Sequence, residues 1–126
     1  MNRRVRVLLL ILVVGSLTGY FWWHHERSEC KKRGNAYDTR VEDLKRKAHQ
    51  QLQIGTEKSQ VIKFFQANGI PISFIEGEAT GTIYTTGCSP FGCGTDEALL
   101  GLRVKVDGKG TVISEPQIGA LYTNCL

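Results

Sequence analysis

From Val7 to Trp23 the chain carries no charged side chain for 17 residues, after a start that holds Arg3, Arg4 and Arg6 and no acid. Nothing else in these 126 residues constrains the fold as strongly. A helix that is apolar on every side needs cover all round, and the short mixed segments that follow cannot supply it. Counting Val5, with Arg6 snorkelling toward the head groups, extends the run to 19 residues. At 1.5 Å per residue such a helix covers roughly 25–28 Å, near the lower limit for a hydrocarbon core of about 30 Å. Val7, Leu8, Leu9, Leu10, Ile11, Leu12, Val13 and Val14 form its body. Tyr20, Phe21, Trp22 and Trp23 close it with rings that favour the membrane–water boundary. The prediction is a single-span anchor in a lipid bilayer.

Leu17-Thr18-Gly19 at the end of that run resembles a bacterial lipoprotein leader, in which a cysteine comes next and takes up the lipid. Tyr20 stands in that place, and a phenol cannot do the work of the thiol. Ser16/Thr18 and Leu17/Gly19 are poor pairs for the small residues that signal cleavage requires. The expectation is an uncleaved, unlipidated signal-anchor. The arginines before the run favour a cytoplasmic amino terminus, although Arg27, Lys31, Lys32 and Arg33 beyond it nearly balance the count. The export-like start and the cysteines favour a single pass through the inner membrane with the C-terminal domain in the periplasm. This divides the chain into a tip and signal-anchor over 1–23, a polar linker over 24–36 and one small domain over 37–126.

About 100 residues after the anchor suffice for one domain of a size that benefits from covalent staples. Cys30, Cys88, Cys93 and Cys125 are an even number in an exported domain, which suggests two disulfides with three possible connectivities. Ser89-Pro90-Phe91-Gly92 favours a tight reversal and hence Cys88 with Cys93, leaving Cys30 with Cys125. Zinc sites use Cys-x-x-Cys pairs or histidine partners, and redox dithiols use Cys-x-x-Cys at a helix start; neither spacing is present.

The net charge of +4 is uneven: His24 to Lys63 has ten Lys/Arg against six acids, and Phe64 to Leu126 has three against six. Nucleic acid is a poor partner for a basic cluster beside a membrane without interleaved aromatics. Lys31-Lys32-Arg33 suits solvation or anionic head groups.

Val41, Leu44, Ala48 and Leu52 predict an amphipathic helix over Asp38–Leu52, with one thin contact stripe. Gly55 ends the pattern, and Thr56 with Glu57 is placed to cap a second helix that buries Val61, Ile62, Phe64 and Phe65. Phe64 and Phe65 are core residues first, with an edge available to a partner. Asn68-Gly69 and Pro71 stop that helix. Ile72–Ile75, Thr80–Thr86 and the alternating Leu102, Val104, Val106 predict strands. Asp107-Gly108-Lys109-Gly110 turns the last of these back onto Thr111–Ser114, and Ile118–Thr123 extends the returning strand past Pro116. Gly87 to Leu100 is expected as a loop or a short turn of helix. The fold class is α+β: an N-terminal transmembrane helix, then two helices on one face of a three- or four-stranded antiparallel sheet.

The segment Leu52-Gln53-Ile54-Gly55-Thr56-Glu57-Lys58-Ser59-Gln60-Val61-Ile62, with Gly69, Pro71, the Tyr84 strand and the hairpin from Leu102 to Val112, is similar to SmpA/OmlA (BamE-like) domains. The resemblance spans roughly Leu52 to Leu126 and extends to the Leu17-Thr18-Gly19 leader. The same small fold resembles the repeats of β-lactamase inhibitory proteins. The first resemblance implies a role in outer-membrane assembly, and the second a module that binds other proteins. Three features depart from the pattern: Tyr20 in the lipidated position, the charged helix ahead of the motif, and the four cysteines.

Candidate chemistry is sparse. His24-His25-Glu26 suits an interfacial polar edge better than a metal, His49 lies on the polar side of a helix, and Ser28, Ser59 and Ser89 have no base and acid arranged around them. The expectation is a non-enzymatic interaction module of the bacterial cell envelope, without a cofactor, metal or small-molecule substrate, whose partner is another envelope protein. The alternative is a thiol–disulfide or metal-handling protein using Cys88 and Cys93.

Overall fold

The structure, a computed structural model, describes residues 3–125. Met1 and Asn2 of the expected cytoplasmic tip, and Leu126 at the end of the expected domain, lie outside the described residues. The chain divides into two compact units between Lys32 and Arg33. The first helix, α1 (Arg3–Gln51), contributes to both.

In the first unit α1 is exposed throughout residues 4–28 and free of charge from Val7 to Trp23. It is the only helix among the described residues long and apolar enough to cross a membrane. Arg27 lies 3.8 Å over the Trp23 ring, and His24 rests against Tyr20 at 4.6 Å. The polar connector expected over 24–36 and the separate helix expected over Asp38–Leu52 are instead one uninterrupted element. The stretch contains no proline, and its weakest helix formers, Gly34 and Asn35, each cost at most about 1 kcal/mol. Lys32 pairs with Glu29 at 2.7 Å across one turn. Polarity therefore changes along the helix without ending it.

In the second unit the last turns of α1 place Tyr37, Val41, Leu44 and Ala48 on one buried face, with Leu52 just beyond the helix end. Helix α2 (Lys58–Ala67) adds Val61, Phe64 and Phe65. It does not start as expected. Thr56 is not its cap: Glu57 holds the cap position without a side-chain bond. The Thr56 hydroxyl donates back to the Gln51 carbonyl at 3.3 Å, and its own carbonyl accepts from Val112 at 2.9 Å. Closing α1 and pinning the connection to the sheet has taken the hydroxyl away from α2. The end of α2 is as read: Ile70 N–H donates to Phe65 and Gly69 N–H to Gln66, with Gly69 at φ +67. That is the double-bonded termination a left-handed glycine allows.

Four strands follow in simple sequential order, all antiparallel: β1 (Ser73–Ile75), β2 (Glu78–Thr86), β3 (Glu97–Lys105) and β4 (Gln117–Tyr122). Glu76 and Gly77 join β1 to β2, both with positive φ (50° and 80°). This is the two-residue reversal whose twist matches the flanking strands. Two expectations change here. The stretch expected as a loop up to Leu100 already contains the first four residues of β3, because Ala98 and Leu100 alternate inward like Leu102 and Val104. Thr111–Ser114 forms only a single bridge, Val106 to Val112, and the strand that pairs with β3 on that side is β4. Asp107 closes the turn: its carboxylate accepts from the amides of Lys109 (2.9 Å) and Thr111 (2.8 Å).

Ala79 on β2 and Ala98, Leu100, Leu102 and Val104 on β3 face the two helices and close the core with Ile70, Val106 and Val112. No buried charged or polar side chain interrupts it among the described residues.

The disulfide pairing differs from the expected one. Cys93 is bonded to Cys125, so neither Cys88–Cys93 nor Cys30–Cys125 forms. Cys30 and Cys88 are also disulfide-bonded, and none of the described cysteines is free. The turn at Pro90 does form, with Cys93 N–H donating to the Pro90 carbonyl at 3.3 Å. It delivers Cys93 to the end of the chain: Cys93 and Cys125 form an antiparallel bridge, and Gly94 N–H donates to Asn124 at 2.9 Å.

Candidate interaction surface

Strand alternation sends every second residue to the face opposite the helices. In register across that face lie Thr80 with Arg103, Thr82 with Gly101, Tyr84 with Leu99, and then Arg103 with Gln117, Gly101 with Gly119, and Leu99 with Leu121. At the centre, Gly101 and Gly119 are cross-strand partners and floor a shallow cleft of about 300 Å³. Beyond the cleft, on the same face, lie the apolar Tyr84 and Leu121, 77% and 55% exposed. The wall of the cleft is polar at Arg103, which pairs with Glu78 at 3.2 Å.

Neither glycine is demanded by the fold. Their φ values are ordinary for a strand, a Cβ on Gly119 would meet nothing within 4 Å, and one on Gly101 would make only ordinary contacts, the nearest at 3.7 Å to Thr82 Oγ1. Glycine weakens a strand interior, and where local geometry does not require it, close approach of another backbone or a ligand is a common reason. Gly81 on the opposite face is different: a Cβ there would collide with the Pro71 carbonyl oxygen and Ile70.

One end of the sheet is locked by polar contacts. Asp96 accepts from the Ser89 amide and hydroxyl, both at 2.9 Å, and from Arg33 at 2.9 Å. The Ser89 bonds, ahead of the Arg33 guanidinium, hold its carboxyl below the usual carboxylate range. The stabilisation is complete above the ordinary value of about 3.9 and is lost as pH falls through the lower folded value. Asp96→Asn should therefore melt below the parent at about pH 7, with the gap narrowing as pH falls below the ordinary carboxylate value of about 3.9. A gap of equal size above and below that value in thermal scans would contradict this. Beside it, the buried Tyr37 hydroxyl donates to Leu99 at 3.2 Å, and its ring lies 5.4 Å from Tyr122. Burial, then the neighbouring Tyr122 and Asp38, raises the Tyr37 pKa.

The residues singled out in the sequence do not converge. The anchor residues lie in the first unit, and Cys93 and Cys125 lie at one end of the sheet. His49 Nδ1 bonds the Lys45 carbonyl at 2.9 Å within its own helix. Phe64 and Phe65 are both buried, 4% and 0% exposed, so neither offers an edge to a partner. Among the described residues no three His, Cys, Asp or Glu side chains group as metal ligands do. The glycine-floored face went unread because its members are spread over three strands; glycine inside two otherwise β-forming runs was the available signal.

No protein-family model matches this chain, and neither a curated protein nor a solved structure matches it. The likeness to SmpA/OmlA domains thus rests on the quoted residues alone.

Proposed function

We propose that this chain is a non-enzymatic interaction module, held at the outer face of the bacterial inner membrane by residues 7–23. Its amino terminus is cytoplasmic, and it offers the open face of its sheet to another envelope protein. The observation that carries the reading is the Gly101–Gly119 pair, which leaves a cleft where β-branched residues would fit. The apolar, exposed start of α1 supports an anchor, and the absence of free thiols among the described residues suits an oxidising compartment. The SmpA/OmlA and β-lactamase-inhibitor resemblances point the same way. The thiol-handling alternative loses its dithiol, because Cys93 is bonded to Cys125 rather than lying opposite Cys88 as a partner thiol.

A photo-reactive residue at Tyr84 in the membrane-bound full chain tests the reading. It should capture an envelope protein. Replacing both Gly101 and Gly119 by valine should cut that capture about tenfold, equivalent to about 1.4 kcal/mol of binding, with no loss of thermal stability. Capture unaffected by the double substitution would sink the proposal. So would a C-terminal reporter that is active only in the cytoplasm.

A further inference from the structure

β4 is the outermost strand of the sheet, with β3 on one side and, among the described residues, no strand on the other. Edge strands are normally protected by lysine, proline, a bulge or extreme shortness. β1, the opposite edge, is protected by having only three residues. β4 has six, Gln117-Ile118-Gly119-Ala120-Leu121-Tyr122, with no charge and no proline. Of these, Gln117, Gly119, Ala120 and Leu121 are exposed.

The ladder fixes which of its backbone groups are free. Thr123 N–H donates to Glu97, and Gly87 N–H donates to Asp96 from the other side of β3. Antiparallel pairs alternate, so Leu121, Gly119 and Gln117 turn their amides and carbonyls toward β3. The amides and carbonyls of Ile118 and Ala120 therefore point away from the sheet.

We propose that this edge pairs with β4 of a second copy of the chain, antiparallel, with Ala120 opposite Ala120 across a twofold axis. That register is self-complementary. It joins the outward groups of Ala120 to those of Ala120 on the other chain, and those of Ile118 to those of Tyr122. On the open face it sets Leu121 of each copy beside Gly119 of the other, a large side chain against an empty one with no Cβ neighbour within 4 Å. On the helix-bearing face it sets Ile118 beside Tyr122. A neutral strand meets its own copy without like-charge repulsion, whereas it offers a foreign strand nothing for charge to select. The two sheets then form one continuous sheet of eight strands. This pairing shares Gly119 and Leu121 with the open face and leaves Tyr84 and Gly101 to the binding proposed there.

The test uses the oxidised full chain in detergent, with molecular mass measured by sedimentation. The parent should be dimeric. Ala120→Pro removes only an outward amide and should give a monomer that melts within a few degrees of the parent. Leu121→Glu, which adds a charge at an exposed position and keeps every backbone group, should do the same. A monomeric parent at micromolar concentration overturns the proposal. Two variants that remain dimeric also overturn it, because the contact then lies away from β4. A chain whose β4 crosslinks to a different protein and never to itself overturns it as well. None of these results removes capture at Tyr84, so the open-face reading stands or falls independently.

Discussion

Phe65→Ala should destabilise the C-terminal domain by about 3–5 kcal/mol. Phe65 is fully buried and is the largest such side chain among the described residues. It meets Phe64 edge-on at 6.5 Å, and its carbonyl accepts the Ile70 amide that ends α2. Removing the ring empties the space between α2 and the sheet, and the walls cannot close it: α2 is ended by the bonds at Gly69 and Ile70, and the sheet is tied to the loop before it through Val112 and Thr56. A domain of this size has a total stability of about 5–15 kcal/mol, so the loss consumes a large share of it. Denaturant titration of the oxidised chain, followed by tryptophan-independent circular dichroism, measures it. A loss under about 1 kcal/mol would mean that Phe65 is not packed as described.

The second large effect concerns glycine, and it separates three positions that look alike. Gly81, Gly101 and Gly119 all lie inside strands with unexceptional φ. Gly81 faces the helices, and the chain leaving α2 crosses directly over it at Ile70 and Pro71. A methyl group there must displace a backbone carbonyl rather than the tip of a flexible side chain. Gly81→Ala should therefore cost about 3 kcal/mol, the upper end of overpacking, or prevent folding altogether. Gly101→Ala and Gly119→Ala should be neutral or slightly stabilising, since alanine loses less backbone freedom on folding. Melting temperatures of the three variants decide the matter. Equal losses at all three would remove the case that Gly101 and Gly119 are kept for a binding reason.

The pattern of what could be read beforehand follows from the range of the interactions. Amphipathic spacing located Val41, Leu44 and Ala48, alternation located Leu102 and Val104, and Gly69 marked the stop of α2, all through contacts within a few residues. Thr56 was misplaced because its hydroxyl answers to Gln51 and its carbonyl to Val112, a strand-side partner far along the chain. The continuity of α1 through residues 24–36 was hidden by polarity, which reports solvation and not the backbone. The disulfide pairing followed the local turn at Pro90 when the deciding geometry was the return of the C-terminus beside Cys93. The candidate surface was the least legible part, since its floor exists only once β4 has been laid beside β3.

The Cys93–Cys125 bond has one consequence for assembly. It turns the stretch from residue 93 to residue 125, with β3 and β4 inside it, into a covalent ring. Domain swapping requires an element to leave its own body and occupy the equivalent place in a neighbour. β4 is held at its far end to the residue that precedes β3, so it cannot make that journey while the bond is intact. The oxidised chain can therefore lengthen its sheet by addition but cannot trade β4 by itself. An oligomer intertwined through β4 alone must be made before the ring closes.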